Sequence, residues 1–164
     1  MEIKYYTPEI EEFYVGFEYE WDDSMISQSL AIREPAQWHK SIFWGEETKE
    51  TFSIINRSIE VGDVRVKHLD KADIEELGFT EGTGHYSQIE RELFYNDYQP
   101  FYLQKDHCTY LIDYYENRDM KLIISIYNNQ TMSLGERHHL FNGTVKNKSE
   151  LKKLLKMLNV KTSV

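Results

Sequence analysis

Cys108-Thr-Tyr-Leu-Ile-Asp-Tyr-Tyr115, a turn at Glu116-Asn-Arg-Asp119, then Met120-Lys-Leu-Ile-Ile-Ser-Ile-Tyr127: this stretch decides the fold. In the first arm Tyr110, Ile112 and Tyr114 alternate with Leu111 and Asp113; in the second Leu122, Ile124 and Ile126 alternate with Ser125. A period of two in both arms predicts an antiparallel hairpin with one face buried and the other partly so. Beyond a polar loop, His138-His-Leu-Phe-Asn-Gly-Thr-Val145 reads as a third strand, with Asn142-Gly143 as a turn or a bulge. Ser149 is the expected cap of a final helix, 149–158, whose Leu151, Leu154, Leu155 and Leu158 form an apolar stripe at helical spacing. Lys152, Lys153 and Lys156 face outward on it. The hairpin, strand and helix of 108–158 form the best-specified part of the chain.

Working upstream, Val64-Arg-Val-Lys-His-Leu69 alternates as a strand. Asp70 then caps a short helix, 71–77, with Asp73 in its first turn and Gly78 placed to end it. Pro100 to Gln104 and Ile89 to Tyr95 read as short strands, and Phe79 to Gln88 as a glycine-bearing loop. Trp38-His-Lys-Ser-Ile-Phe-Trp44 is a further strand closed by Gly45. The segment 46–59 fits either a helix from Glu47 to about Ile55 or a loop with a short strand, and 24–35 shows neither period cleanly. Residues 1–23 form an acidic N-terminal segment with eight acids and one lysine. Within it a strand is expected over 13–21, with Phe13, Val15, Phe17, Tyr19 and Trp21 on one face and Tyr14, Gly16, Glu18 and Glu20 on the other.

The whole reads as one α+β domain, 1–164. A mainly antiparallel sheet of about six to eight strands is covered by the 71–77 helix and the amphipathic C-terminal helix. At 164 residues there is enough chain for a substantial core. Twelve tyrosines, eight phenylalanines and three tryptophans lean towards sheet. The net charge of −9 repels nucleic-acid backbones, so direct nucleic-acid binding is not expected. One cysteine excludes an intrachain disulfide. No apolar stretch approaches a membrane span and no leader opens the sequence, so a cytoplasmic protein is expected.

Three runs carry a resemblance. They are Arg65-Val-Lys-His-Leu-Asp-Lys-Ala-Asp-Ile-Glu-Glu-Leu-Gly-Phe79, the run Leu140-Phe-Asn-Gly-Thr-Val-Lys-Asn-Lys-Ser-Glu-Leu151 on to Leu158, and Tyr6-Thr-Pro-Glu-Ile-Glu-Glu-Phe13 with Gly16-Phe-Glu-Tyr-Glu20. Together they resemble small uncharacterised proteins of gut-bacterial phages and prophages. The resemblance concerns caps, turns and core leucines. It implies fold and genomic origin, and carries no activity.

The chemistry-bearing residues assemble no signature. Six histidines show no i, i+4 pair and no H-E-x-x-H, so no metal or cofactor is expected, although a metal-dependent hydrolase built from distant residues stays open. His107 and Cys108 are adjacent on a strand and point to opposite faces, which rules out a simple dyad. Gly82-Thr-Gly84 lacks the P-loop lysine. If that loop binds an anionic, nucleotide-like molecule, His85, Tyr86 and Arg91 supply a donor, a stacking face and a forked cation. The leading expectation is a non-catalytic accessory protein that binds a host or phage protein through an acidic, tyrosine-rich surface: Tyr5, Tyr6, Tyr14, Glu18 and Glu20. A virion component, built by self-association into a homo-oligomer, is a further alternative.

Overall fold

The computed structural model describes residues 3–22, 36–45, 48–82, 99–115, 121–128 and 138–162; of 127 and 128 it describes the backbone alone. The expected strand at 89–95 and the ambiguous segment 24–35 lie outside the described residues. The fold is α+β, with antiparallel sheets and short helices. Contacts divide the chain into two compact units, Met1–His68 and Leu69–Val164.

The first unit holds strands β1 (Tyr5–Tyr6), β2 (Glu18–Asp22), β3 (Trp38–Ile42) and β4 (Val64–Lys67), ordered β1-β4-β2-β3, and helix α1 (Lys49–Glu60). All pairs are antiparallel, with Tyr5 opposite Lys67, Glu20 opposite Arg65, and Glu20 opposite Lys40 on its other side. Period-two alternation sends Tyr6, Val64, Val66, Tyr19 and Trp21 to one face, where they join Phe13, Phe17, Phe43 and Ile55 in a core. In the ambiguous 46–59 segment, the described part from Thr48 onward is helix α1, capped by Thr48, with Ile55 buried and Phe52 edge-on to Phe43 at 5.5 Å. Its period is blurred in sequence because Ile54 and Val61 point outward, 65% and 48% exposed.

The strand expected at 13–21 is shorter than its alternation suggests. Residues 14–17 form a tight turn closed by the Phe17 N–H on the Tyr14 carbonyl at 2.8 Å, with Gly16 at φ 90°. Glycine at the third position is what a type II turn requires, because that residue needs a positive φ. Val15 therefore sits at the turn tip, 66% exposed, while Phe13 and Phe17 are buried.

The second unit holds helix α2 (Lys71–Glu76), strands β5 (Thr80–Glu81), β6 (Gln99–Lys105), β7 (Cys108–Tyr115), β8 (Lys121–Asn128) and β9 (His138–Thr144), and helix α3 (Lys148–Met157). The strands follow one another in order, an antiparallel meander. Among the described residues, nine strands thus form two sheets, of four and five, rather than one. Phe101, Ile112, Tyr114, Leu122 and Ile124 line one face and meet Ile74, Leu77, Leu151 and Leu155 of the helical segments. Tyr114 donates its hydroxyl to the Leu69 carbonyl at 2.7 Å inside this core. The second face is buried too: Thr109, Leu111, Asp113 and Ser125 are all closed to solvent.

The expected cap at Asp70 is present as a reciprocal box: its carboxylate accepts from Asp73 N–H at 3.0 Å, and Asp73 accepts from Asp70 N–H at 3.2 Å. The last helix starts earlier than expected. Asn147, not Ser149, caps it by accepting from Glu150 N–H at 2.9 Å, and Ser149 is buried within the first turn. Gly143 is neither turn nor bulge. It pairs with Leu122 inside β9, and a Cβ there would come within 2.7 Å of the Phe141 ring. The irregularity in register falls instead beside Ile124 and Ser125.

Candidate functional site

The first sheet has a second face, opposite its core. Because side chains alternate along each strand, this open face collects Tyr5 from β1, Arg65 and Lys67 from β4, Glu18 and Glu20 from β2, and Trp38, Lys40 and Ile42 from β3. One residue from each strand meets at its centre. The Arg65 guanidinium carbon lies 3.8 Å from the Tyr5 ring centroid and 4.0 Å from the Trp38 ring centroid. Both distances are well inside the range of cation–π attraction. Arg65 Nε and Nη2 donate to the same Glu20 oxygen, Oε2, at 2.8 and 2.7 Å. Tyr5 makes a long hydroxyl contact of 3.5 Å to the other oxygen, Oε1.

The Arg65 side chain keeps 27% of its surface and Glu20 keeps 14%, so the pair is mostly buried with some access to water. Its four residues come from all four strands, and so they cross-tie the sheet. They also fix a cation between two rings, which removes most of the rotamer freedom an arginine otherwise loses on binding.

The row along β3 extends this face. Trp38 is half-buried, Lys40 exposed and Ile42 40% exposed. Past buried Phe43 the alternation reaches Trp44, 70% exposed. Phe43 N–H on the Phe17 carbonyl at 2.9 Å and Gly16 N–H on the Phe43 carbonyl at 2.7 Å carry the strand pairing up to this point. Val15 lies so close to Gly45 that a Cβ there would collide with it.

Of the residues expected to form an interaction surface, the structure gathers Tyr5, Glu18 and Glu20 on this face. Tyr6 lies on the other side. It stacks on His68 at 4.7 Å between centroids and donates to Glu12 Oε2 at 2.6 Å. Tyr14 packs against Phe17 at 5.6 Å beside the first core. Sequence reasoning missed Arg65 and Trp38 as members. The usable signal was their alternation, since Val64-Arg-Val-Lys67 and Trp38-His-Lys-Ser-Ile42 each put polar or amphipathic residues on one side.

His85, Tyr86 and Arg91, expected near an anion, lie outside the described residues. His138 and His139 are both exposed, and His139 Nδ1 is 3.1 Å from the buried Ser125 hydroxyl. Among the described residues no three His, Cys, Asp or Glu side chains gather as a metal site. No helix among them is long and apolar enough to cross a membrane.

Comparison with protein-family models, with curated proteins and with solved structures finds no match to this chain.

Proposed function

We propose that this chain is a non-catalytic accessory protein that binds a protein partner of host or phage origin through the open face of its first sheet. The observation that carries the reading is where large apolar side chains meet solvent. Among the described residues these are Ile3, Val15, Ile42, Trp44, Phe52, Ile54, Val61 and Met157, and all but Met157 belong to the first unit. Phe52, Ile54 and Val61 belong to α1 and its cap, whereas Ile42 lies on the open face with Trp44 just beyond it, and neighbouring exposed apolar residues of that kind mark a contact surface. Ile42 shares β3 with Trp38, which stacks on Arg65, and Trp44 follows two residues past the end of that strand. Tryptophan, tyrosine and arginine are the side chains that dominate interface energetics. The acidic N-terminal segment adds an electrostatic preference for a partner with basic surroundings.

The test is the native mass of tagged protein recovered from native cell lysate, for wild type and for Trp38→Ala/Trp44→Ala. The expected result is a second polypeptide whose affinity falls at least about tenfold in the double variant, as loss of interface anchors does. A partner retained undiminished by that variant places the interface elsewhere. An added mass of a few hundred daltons in place of a polypeptide would overturn the reading in favour of a small anionic ligand.

A further inference from the structure

We propose that Arg65 is the specificity residue of this face, and that the free end of its guanidinium receives one carboxylate of the partner protein, from an Asp, a Glu or a chain terminus. The inference rests on the protein-binding reading above and names the chemistry of the contact.

A guanidinium has five N–H donors. The Nε and Nη2 edge of Arg65 is taken up by Glu20 Oε2. Nη1 and the second N–H of Nη2, which make up the outer fork, have no further hydrogen-bond or ion-pair partner among the described residues, and the side chain is part-exposed. A structural staple accounts for the stacked rings and the Glu20 edge. It does not account for a planar fork held between Tyr5 and Trp38 whose outer N–H groups have no partner among the described residues. Such a fork matches a carboxylate through two parallel hydrogen bonds, and its fixed orientation means little entropy is left to lose.

The surroundings favour a monoanion. Lys67 follows Arg65 on the same face of β4, and Lys40 lies across β2 from it, opposite Glu20. These cations offset the acids of β2, where Glu18, Glu20 and Asp22 share the same alternation. Arg65, Lys67 and Lys40 stand against Glu18, Glu20 and Asp22, so the second charge of a phosphate dianion finds no unbalanced cation on this face. The ligand is presented by a protein because the fork stands in a spread sheet surface, with exposed Ile42 on the same side of β3 and exposed Trp44 just past its end.

The experiment follows the Arg65 side-chain nitrogens and the Trp38 indole by NMR in the full chain. The probes are N-acetyl-glutamate methylamide, its neutral glutamine analogue and inorganic phosphate, at constant ionic strength. The expected result is a saturable shift with the glutamate probe, at least about fivefold tighter than with glutamine and tighter than with phosphate. Arg65→Lys, which keeps the charge and loses the fork, abolishes that preference. Glu20→Gln keeps an acceptor for the Nε edge and removes the neighbouring anion. It therefore tightens the glutamate probe by about threefold, an effect a purely structural staple would not produce. Equal response to glutamate and glutamine, a preference for phosphate, or unchanged or weaker binding in Glu20→Gln would each overturn the proposal. If Arg65→Lys does not fold, the Glu20→Gln arm decides. The titration uses no partner, so its failure removes the carboxylate assignment and leaves the Trp38/Trp44 test of the protein-binding reading standing.

Discussion

Among the described residues, the first unit gathers six buried apolar side chains into its core, three of them phenylalanine; the second gathers thirteen, most of them aliphatic. The contrast continues at the surface, where the first unit carries all but one of the large exposed apolar side chains. A sheet that buries little on one face and ties the other with a stacked arginine is held by few strong terms. A sheet with both faces closed, as Thr109, Leu111, Ile112 and Ile124 are, is held by many. Binding surfaces are drawn from the less stable parts of a fold, since they must leave apolar area unburied until a partner arrives. Under the proposed function, that difference would separate a scaffold from a binding surface.

The largest expected effect tests the two cores with one chemistry. Ile124 is fully buried on β8 of the second sheet, and Ile55 is 8% exposed on α1. Truncating a buried isoleucine to alanine costs about 2–5 kcal/mol, more where the cavity cannot collapse. Ile124→Ala should fall near the top of that range and Ile55→Ala near the bottom, read from urea midpoints. Equal losses would mean the first core is as tightly packed as the second, and the contrast would fail.

A smaller effect should appear in hydrogen exchange. Amides of β2 and β4 are expected to exchange about tenfold faster than those of β7 and β8, a gap of about 1.4 kcal/mol in opening free energy. Arg65→Ala should widen that gap by about 1 kcal/mol, a modest figure because the pair with Glu20 is part-solvated. An Arg65→Ala variant that left β2 and β4 protected would show that the cross-tie contributes nothing to stability.

Helix caps refine the comparison further. Asn147 is buried and accepts from Glu150 N–H at 2.9 Å, whereas exposed Thr48 reaches Thr51 N–H only at 3.4 Å. Asn147→Ala should cost about 1 kcal/mol, the ordinary value of a lost cap, and Thr48→Ala less than about half of that. Thermal denaturation of both variants checks the order.

What was legible in the sequence follows the same division. The hairpin at 108–127, the Asp70 cap and the apolar stripe of the last helix could be read because each pattern is local and each is enforced by burial. The α+β class came with them. The strand at 13–21 read too long because alternation is blind to a turn that happens to preserve parity; Gly16 was the residue that marked it. Ser149 and Asn147 are both cap-competent and two positions apart, so spacing alone could not choose between them. The candidate site was half legible. Glu18 and Glu20 were recognisable as one polar face by alternation, which carried Tyr14 with them across the turn at 14–17, whereas Tyr5 and Tyr6 were added by composition. Arg65 and Trp38 were left out because the order β1-β4-β2-β3 brings residues 5, 65, 20 and 38 together across separations that no periodicity spans.

The last prediction narrows the contrast by attacking the more stable unit. Burial raises the Tyr110 phenol above its ordinary value of 10.0, with the nearby charges of Cys108 and Asp106 adding to the shift. Lys71 is also raised, chiefly by its hydrogen bond to Glu81. Both groups belong to the second unit. A raised pKa in the folded state means that the folded chain holds its proton longer than the unfolded chain does. The stabilisation is then fully present below the unfolded value and is lost as the pH climbs through the folded one. The stability of the second unit should accordingly stay level up to about pH 10 and decline above it, in the range where phenols and ammonium groups titrate. Tyr110→Phe cannot ionise there, so its urea midpoint should fall less steeply with pH than that of the wild type. Parallel slopes in the two proteins would mean that the alkaline loss comes from groups other than Tyr110, with the Lys71–Glu81 pair the next to test by Lys71→Met.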